Sequence, residues 1–215
     1  MGRADPRMTV HTEVLTERQV RVLDAIASIA NAGGFYLAGG MAIALRVGHR
    51  RSEDFDWLAT EVKRPEALAA EIRDRGLVVD SLELAAGTVN CHIGGVKMRF
   101  LEFPYPLLAE AEEWPEKRVA LASFRDLGAM KLLAVAQRGA RKDFVDVHEL
   151  LRQGATLSAM LDDFRAKFQT DPISVLRGLA YFDDAELEPM PEMLTADTWR
   201  NVRDGIMDAL RSVLR

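Results

Sequence analysis

The chain has 215 residues, and its 33 Asp and Glu against 28 Lys and Arg give a formal net charge of −5. Hydrophobic residues make up 48% and charged residues 28%, which is typical of a globular chain and excludes a mainly disordered or fibrous one. The length predicts one domain, or one with a small appendage. The acidic balance argues against nonspecific coating of nucleic acid but leaves room for local basic patches.

Three features predict a cytoplasmic protein without membrane contact. A single cysteine, Cys91, excludes an intramolecular disulfide and a Cys-rich zinc site, and it indicates a reducing compartment. Residues 1–15 lack the apolar segment of a signal peptide. The uncharged segment Ala25–Leu45 is long enough to cross a bilayer. The pairs Gly33-Gly34 and Gly39-Gly40 divide it into a helix end, a turn, a short strand and another turn, so we reject a membrane span.

The first half of the chain alternates helical and strand patterns. Thr16 and Gln19 form the spacing of a capping box, and Gly94-Gly95 is typical of a hairpin turn. The patterns predict, in chain order, helix Thr16–Ala32, strand Phe35–Ala38, helix Met41–Gly48, strand Phe55–Thr60, helix Pro65–Arg75 and strands Leu77–Leu84, Thr88–Ile93 and Val96–Phe103.

Helical patterns dominate after the Pro104–Pro106 breaker and an acidic stretch. They predict helices over Phe124–Gln137, Lys142–Arg152, Ser158–Phe168, Ile173–Tyr181 and Thr198–Leu214. The fold class is therefore predicted as α+β: a small mixed β-sheet core with flanking helices over residues 1–120, then a helical C-terminal region over residues 121–215.

The segment from Gly39 to Asp56 carries the residues best suited to chemistry. Asp54 and Asp56 project from the same face of a strand. Such a pair suits Mg²⁺ or Mn²⁺ and the in-line displacement of a phosphoryl group. Gly39-Gly40 opens a helix whose N-terminal N–H groups suit a triphosphate. Each motif alone has an ordinary explanation: the two aspartates as a solvated acidic pair, and the two glycines as a simple turn. Their order along the chain, however, places both motifs at one edge of a sheet.

These residues resemble the AbiEii/AbiGii toxin branch of the DNA polymerase beta-type nucleotidyltransferase superfamily. The resemblance covers about residues 35–152. We identify no match to the family's motifs before Gly39 or after Arg152. It is carried by four blocks: Gly39-Gly40, His49-Arg50-Arg51-Ser52-Glu53-Asp54-Phe55-Asp56, Lys131 and Lys142-Asp143-Phe144-Val145-Asp146.

The resemblance implies transfer of a nucleoside monophosphate from an NTP to an acceptor hydroxyl, with release of pyrophosphate. Asp54 and Asp56 would hold two Mg²⁺ or Mn²⁺ ions. Gly39, Gly40, Arg51 and Ser52 would bind the nucleotide, Lys131 would balance its charge, and Asp146 or Asp143 would complete the site. The helical region would thus complete the active site of the core.

The resemblance also implies an RNA acceptor, with tRNA first, and a toxin controlled by a cognate antitoxin. Two alternatives stay open: nucleotide transfer to a protein or small molecule, and a degenerate module that binds nucleotides without catalysis.

Two positions depart from the family pattern. Met41 stands where the family has a small hydroxyl residue after the second glycine. The third carboxylate of the superfamily is expected on a later strand, where the nearest candidate is Glu102. Glu102 shares parity with an apolar face, so a strand-end carboxylate that reaches water explains it equally well.

Basic residues flank the acidic strand. Their clustering predicts a groove that steers a phosphate-rich substrate, although cations that complete a helix C-terminus are the ordinary explanation. One bank would hold Arg46, His49, Arg50 and Arg51, and the other Arg138, Arg141 and Lys142.

Overall fold

The structure is a computed structural model that describes residues 9–62 and 64–214. Residues 1–8, on which the signal-peptide argument partly depends, lie outside the described residues. Within the described part, no helix is both long and apolar enough to cross a bilayer. The uncharged segment from Ala25 to Leu45 is divided among a helix, a strand and a second helix, as its glycine pairs predict.

A seven-stranded mixed sheet forms the centre of the described chain, with strand order β3-β4-β5-β2-β1-β7-β6. The β1 strand pairs antiparallel with β2 and parallel with β7, and β2 pairs parallel with β5. The strands are β1 Tyr36–Ala38, β2 Phe55–Ala59, β3 Val79–Ala85, β4 Thr88–Ile93, β5 Val96–Glu102, β6 Glu112–Trp114 and β7 Val119–Leu121.

The helices of the first half begin and end at the signals that the sequence carries. Thr16 and Gln19 form both hydrogen bonds of the capping box at the start of α1. Gly48, in the left-handed conformation, ends α2. The bounds are a 3₁₀ turn Thr12–Val14, α1 Glu17–Ala32, α2 Gly39–Val47 and α3 Pro65–Asp74.

The second half is helical after β7, as predicted. Its helices are α4 Phe124–Gln137, α5 Arg141–Arg152, α6 Leu157–Phe168, α7 Ile173–Leu179, α8 Asp183–Glu186 and α9 Trp199–Val213. The sequence patterns missed β6, β7 and α8. Each is only three or four residues long, and β7 is a strand because it pairs with β1, which is distant in sequence. The predicted boundary after residue 120 falls inside β7.

The alternation of side chains along β2 and β5 separates a core face from a polar face. Phe55, Trp57 and Phe100 are fully buried, and their rings stack with centroids 6.3–6.4 Å apart. The residues between them in sequence therefore point to the opposite face. On that face the sheet carries the polar side chains of the candidate site, next to α2 and α4. The predicted α+β fold with a small mixed sheet is confirmed.

Candidate active-site cleft

The polar face of the sheet forms the floor of a cleft of about 810 Å³. It is bounded by the start of α2, by β2 and β5, by α4 and by residues 188–192. The cleft brings together most of the residues that the sequence singled out: Gly39, Gly40, Arg50, Arg51, Ser52, Asp54, Asp56, Lys131, Arg138 and Lys142.

Asp54 and Asp56 both line the cleft, and each faces a cation on β5. Arg99 Nε donates to Asp56 Oδ1 over 2.6 Å. Lys97 Nζ lies 3.5 Å from Asp54 Oδ2. Asp56 and Arg99 are partners in the parallel register of β2 and β5, so the pairing follows from the sheet itself. The two carboxylates retain partial exposure, at 26% for Asp54 and 17% for Asp56, and can therefore contact a ligand.

The Gly39-Gly40 turn packs directly against these polar side chains. Gly39 has a φ of +65°, and a Cβ there would overlap the Asp56 carboxylate. A Cβ on Gly40 would meet the guanidinium of Arg50 and the hydroxyl of Ser52. The first N–H groups of α2 have no intrahelical partners, as at any helix N-terminus. Among the described residues no side chain caps them, so they lie next to the carboxylates of the cleft without a side-chain acceptor at the N-cap.

Met41 does not take part in the cleft, because its side chain is fully buried in the hydrophobic core. The departure from the family pattern at this position thus places an apolar side chain in the interior.

Lys131 joins α4 to two aspartates of α5. Its Nζ lies 3.0 Å from Asp143 Oδ1 and 2.8 Å from Asp146 Oδ2. Arg138 binds Asp143 with two further hydrogen bonds of 2.7 and 2.8 Å. Burial raises the pKa of Asp143, but the hydrogen bonds and charges of Arg138 and Lys131 outweigh this effect and leave the pKa below its usual value.

Asp146 is fully buried and is bound from three sides. Arg50 donates to both of its carboxylate oxygens over 2.7 and 2.8 Å, and His49 Nε2 lies 2.8 Å from Oδ1. Burial raises the pKa of Asp146, yet Arg50, Lys131 and His49 together hold it well below its ordinary value. Asp146 itself does not line the cleft, but two of its partners, Arg50 and Lys131, do.

The basic groove is only partly as predicted. Arg46 and His49 are buried, because Arg46 pairs with Glu112 and His49 with Asp146. Arg141 lies away from the cleft lining and donates to the carbonyl oxygens of Ala185 and Glu186. The prediction that these three side chains form the banks of the groove is therefore wrong. The remaining predicted cations line the cleft, namely Arg50, Arg51, Arg138 and Lys142.

Residues 188–192 form a wall of the cleft that the sequence patterns did not identify. Arg51 N donates to Glu192 O over 2.9 Å, and Leu194 N donates to His49 O over 2.8 Å. The Arg51 side chain also donates to the Glu192 carboxylate over 2.8 Å. Two prolines, at 189 and 191, indicate an extended segment, but only the folded chain shows where this segment lies.

Lys97 and Arg99 were also missed as site residues. They alternate with the buried Val96, Met98 and Phe100, which is the signal that places them on the same face as Asp54 and Asp56. Glu102 lies on the other face of β5, where its carboxylate accepts from Val62 N over 3.3 Å. It does not join the two aspartates.

The donor set of the cleft suits a divalent cation only in part. Asp54 and Asp56 offer the hard oxygen atoms that Mg²⁺ and Mn²⁺ prefer. Across the described residues, no group of three or more His, Cys, Asp or Glu side chains is placed to hold a metal ion. The two carboxylates thus fit a cation whose other ligands come from a nucleotide or from water.

A known protein family matches the C-terminal part of the chain. The model of the family described as nucleotidyl transferase AbiEii toxin, type IV TA system, matches residues 93–213, more than half of the chain. The match includes the helices after Arg152, where the sequence motifs showed no resemblance. It begins after the Gly39–Asp56 segment.

Individual relatives are similar over most of the chain. Protein aq_aa25 of Aquifex aeolicus (strain VF5), described as uncharacterized, is 33% identical over 177 residues, which cover 81% of this chain and 86% of the relative.

Two crystal structures from Helicobacter pylori share the fold at 15% identity. A candidate nucleotidyltransferase has a TM-score of 0.55 and covers 93% of this chain and 96% of its own. JHP933 has a TM-score of 0.57 and covers 93% of each chain. With the family match, the fold and the cleft, these findings show that the chain is a nucleotidyltransferase and belongs to the AbiEii nucleotidyl transferase toxin family.

Proposed function

We propose that this protein transfers a nucleoside monophosphate from an NTP to a hydroxyl of RNA, with tRNA as the first candidate, in a metal-dependent reaction. The acceptor hydroxyl gives its proton to water and its oxygen forms a bond to the α-phosphorus. The bond from the α-phosphorus to the oxygen that bridges it to the β-phosphate breaks, and pyrophosphate leaves. One observation carries the proposal: Asp54, Asp56, the N-terminus of α2 and Lys131 line the same cleft.

The triphosphate is bound by the turn at Gly39-Gly40. The two glycines leave no side chain between the N–H groups of α2 and a phosphate, and the helix N-terminus favours negative charge. Ser52 and Arg51, which line the cleft beside this turn, add a hydroxyl and a guanidinium. Lys131 offsets the negative charge that the triphosphate brings into a partly enclosed space.

Asp54 and Asp56 are the residues that would hold the metal. When bound there, Mg²⁺ or Mn²⁺ supplies charge stabilisation for the phosphate oxygens during transfer. Asp143 and Asp146 have a positioning role, since they hold Lys131, Arg138 and Arg50 in place by hydrogen bonds of 2.7–3.0 Å.

An RNA acceptor is supported by the cations around the cleft. Arg51, Lys97, Arg138 and Lys142 line it and keep partial or full exposure, so they can bind backbone phosphates next to the reacting hydroxyl. We further propose that the protein acts as the toxin of a pair and that a cognate antitoxin controls it. The type IV toxin–antitoxin description of the matched family supports this assignment.

The proposal is tested by incubating the purified protein with each α-³²P-labelled NTP, Mg²⁺, total bacterial RNA and lysate protein. Asp54→Asn and Asp56→Asn should each lower labelling by at least about 100-fold, because a ligand of the metal is lost. Their thermal midpoints should change little, since the ion pairs removed are partly exposed. Asp74→Asn, a change at an exposed aspartate on α3, is the matched control and should keep full labelling.

The labelled species identifies the acceptor class. Label in a tRNA-sized band that disappears in Asp56→Asn supports the proposal. Label only in protein bands shows that the acceptor is a protein. Metal-dependent nucleotide binding without label in any fraction contradicts transfer to RNA and indicates a module that only binds nucleotides. Full labelling by Asp54→Asn and Asp56→Asn contradicts the metal site.

A further inference from the structure

We propose that Lys97 and Arg99 are counter-ions that occupy the metal-binding carboxylates until a nucleotide arrives, so that metal and nucleotide bind together. Arg99 is then released to bind a phosphate of the nucleotide. This inference rests on the proposed function, because it assigns a role to β5 within the same nucleotide site.

The sheet register places the two cations of β5 next to the two aspartates, where they compete with a metal ion. Asp56 lies opposite Arg99 in the parallel pairing of β2 and β5, and Arg99 Nε donates to Asp56 Oδ1 over 2.6 Å. Lys97, two residues earlier on the same face, has its Nζ 3.5 Å from Asp54 Oδ2. A divalent ion bound by both aspartates competes with these two cations for the carboxylate charge, and an ion that takes Asp56 Oδ1 replaces Arg99 there.

The charges of this group predict weak binding of a metal ion in the absence of nucleotide. Two carboxylates and two cations sum to zero, so the group exerts little net attraction on a divalent ion. Breaking the Asp56–Arg99 pair without a replacement would leave a guanidinium, whose side chain is 31% exposed, with water as its acceptor in place of a carboxylate. The metal alone offers no anionic acceptor.

A nucleotide changes both the attraction of the site for the metal ion and the surroundings of the released guanidinium. Its triphosphate brings further oxygen ligands for the metal and acceptors for the displaced guanidinium, whose planar fork suits phosphate. Arg99 is the cation best placed for this exchange. Arg50 and Lys131 are held by the fully buried Asp146, whereas the partner of Arg99 is itself a metal ligand in the proposed function.

The test has two measurements on the whole protein. Binding of Mn²⁺ alone is followed through the electron paramagnetic resonance signal of free Mn²⁺. Binding of an equimolar mixture of α,β-methylene ATP, CTP, GTP and UTP is measured by equilibrium dialysis with and without Mn²⁺, because the analogues themselves bind Mn²⁺. Arg99→Gln removes the counter-ion, Arg99→Lys keeps its charge, and Asp56→Asn removes the carboxylate. Arg211→Gln, which breaks an exposed ion pair with Asp208 on α9, is the matched control.

Without nucleotide, Arg99→Gln should bind Mn²⁺ at least about fivefold more tightly than the unaltered protein, the lower end of typical coupling effects. With the analogues present, Arg99→Gln should bind the nucleotide at least about fivefold more weakly, because a phosphate contact is lost. The factor by which Mn²⁺ strengthens nucleotide binding should therefore be smaller in Arg99→Gln than in the unaltered protein. Arg99→Lys should fall between the two proteins, and Arg211→Gln should match the unaltered one.

The outcomes separate the inference from the function on which it rests. If Arg99→Gln leaves Mn²⁺ affinity unchanged while Asp56→Asn weakens binding of the Mn²⁺–nucleotide complex, the counter-ion role is wrong and the metal site stands. If Asp56→Asn also leaves that binding unchanged, the metal site itself is wrong. Thermal unfolding of each variant checks the fold, and Arg99→Lys provides the comparison if Arg99→Gln does not fold.

Discussion

Asp56 shows how much one site residue depends on distant parts of the chain. Its backbone lies between Ala38 of β1 and Arg99 of β5 in the sheet. Its carboxylate lies against Gly39 and accepts from Arg99. The alternation of β2 predicts that Asp56 points away from the core, but the counter-ion opposite it is determined by strand pairing.

Met41 provides a prediction at the same scale. Because its side chain is fully buried, Met41→Thr should lower the free energy of unfolding by about 2–5 kcal/mol, the range for truncating a large core side chain. Nucleotide affinity of the folded variant should stay unchanged. Urea unfolding and nucleotide titration measure the two effects. Met41→Leu, which conserves volume, is the control and should cost less than about 1.5 kcal/mol. Tighter nucleotide binding by Met41→Thr would show that this position reaches the triphosphate.

Ion pairs between elements hold the cationic side of the cleft. Lys131 of α4 and Arg50, which follows α2, both bind Asp146 of α5. Asp143, one turn earlier on α5, binds Lys131 of α4 and Arg138, which follows α4. The short helix α5 thereby sets the positions of three cations of the cleft, although its own aspartates are buried.

Asp146→Asn tests this arrangement. Removing one partner of a buried ion pair leaves Arg50 and Lys131 without their shared charge, which should cost about 3–5 kcal/mol of stability. Label transfer should fall as well, because both cations lose their fixed positions. Urea unfolding and the transfer assay are the measurements. Asp162→Asn, at an exposed pair on α6, is the control. A variant with unchanged stability would show that Asp146 does not hold the network.

At the scale of the whole molecule, buried carboxylates of the helical region connect its helices to one another and to loops of the first half of the chain. Asp126 of α4 binds the fully buried Lys167 of α6 over 2.6 Å and accepts from Leu108 N. Burial raises the pKa of Asp126, but hydrogen bonds from Lys167, Ser123 and Leu108 lower it below its usual value. Asp143 and Asp146 show the same direction of shift.

These shifts predict how stability depends on pH. A carboxylate with a lowered pKa in the folded state adds stability above its unfolded pKa, and this contribution is lost as the pH falls through the folded pKa. The free energy of unfolding contributed by these three groups should be constant from pH 7 to about 5 and decrease below their ordinary pKa of 3.8. Urea unfolding across this range measures it. Constant stability down to about pH 2.5 would contradict the assigned shifts.

Local patterns predicted most of the fold correctly. Capping boxes, glycine stops and alternation identified α1 to α3, β1 to β5 and the long helices of the second half. They missed β6 because two of its three residues are glutamates, which are depleted in strands. They missed β7 because its parallel partner, β1, is distant in sequence. The predicted boundary at residue 120 and the assigned roles of the site residues stay predictions.

The sequence by itself determined which residue types stand on which face: the glycine turn, the two aspartates on one side of a strand, and a lysine and two aspartates on helices. Periodicity is a local property, and it can be read without the fold. Only the tertiary structure decided which charges meet. Arg50 and His49 turn inward to Asp146, Arg99 pairs with Asp56, and residues 188–192 close one side of the cleft. These contacts join segments far apart in sequence, and their partners are selected by strand register and helix packing.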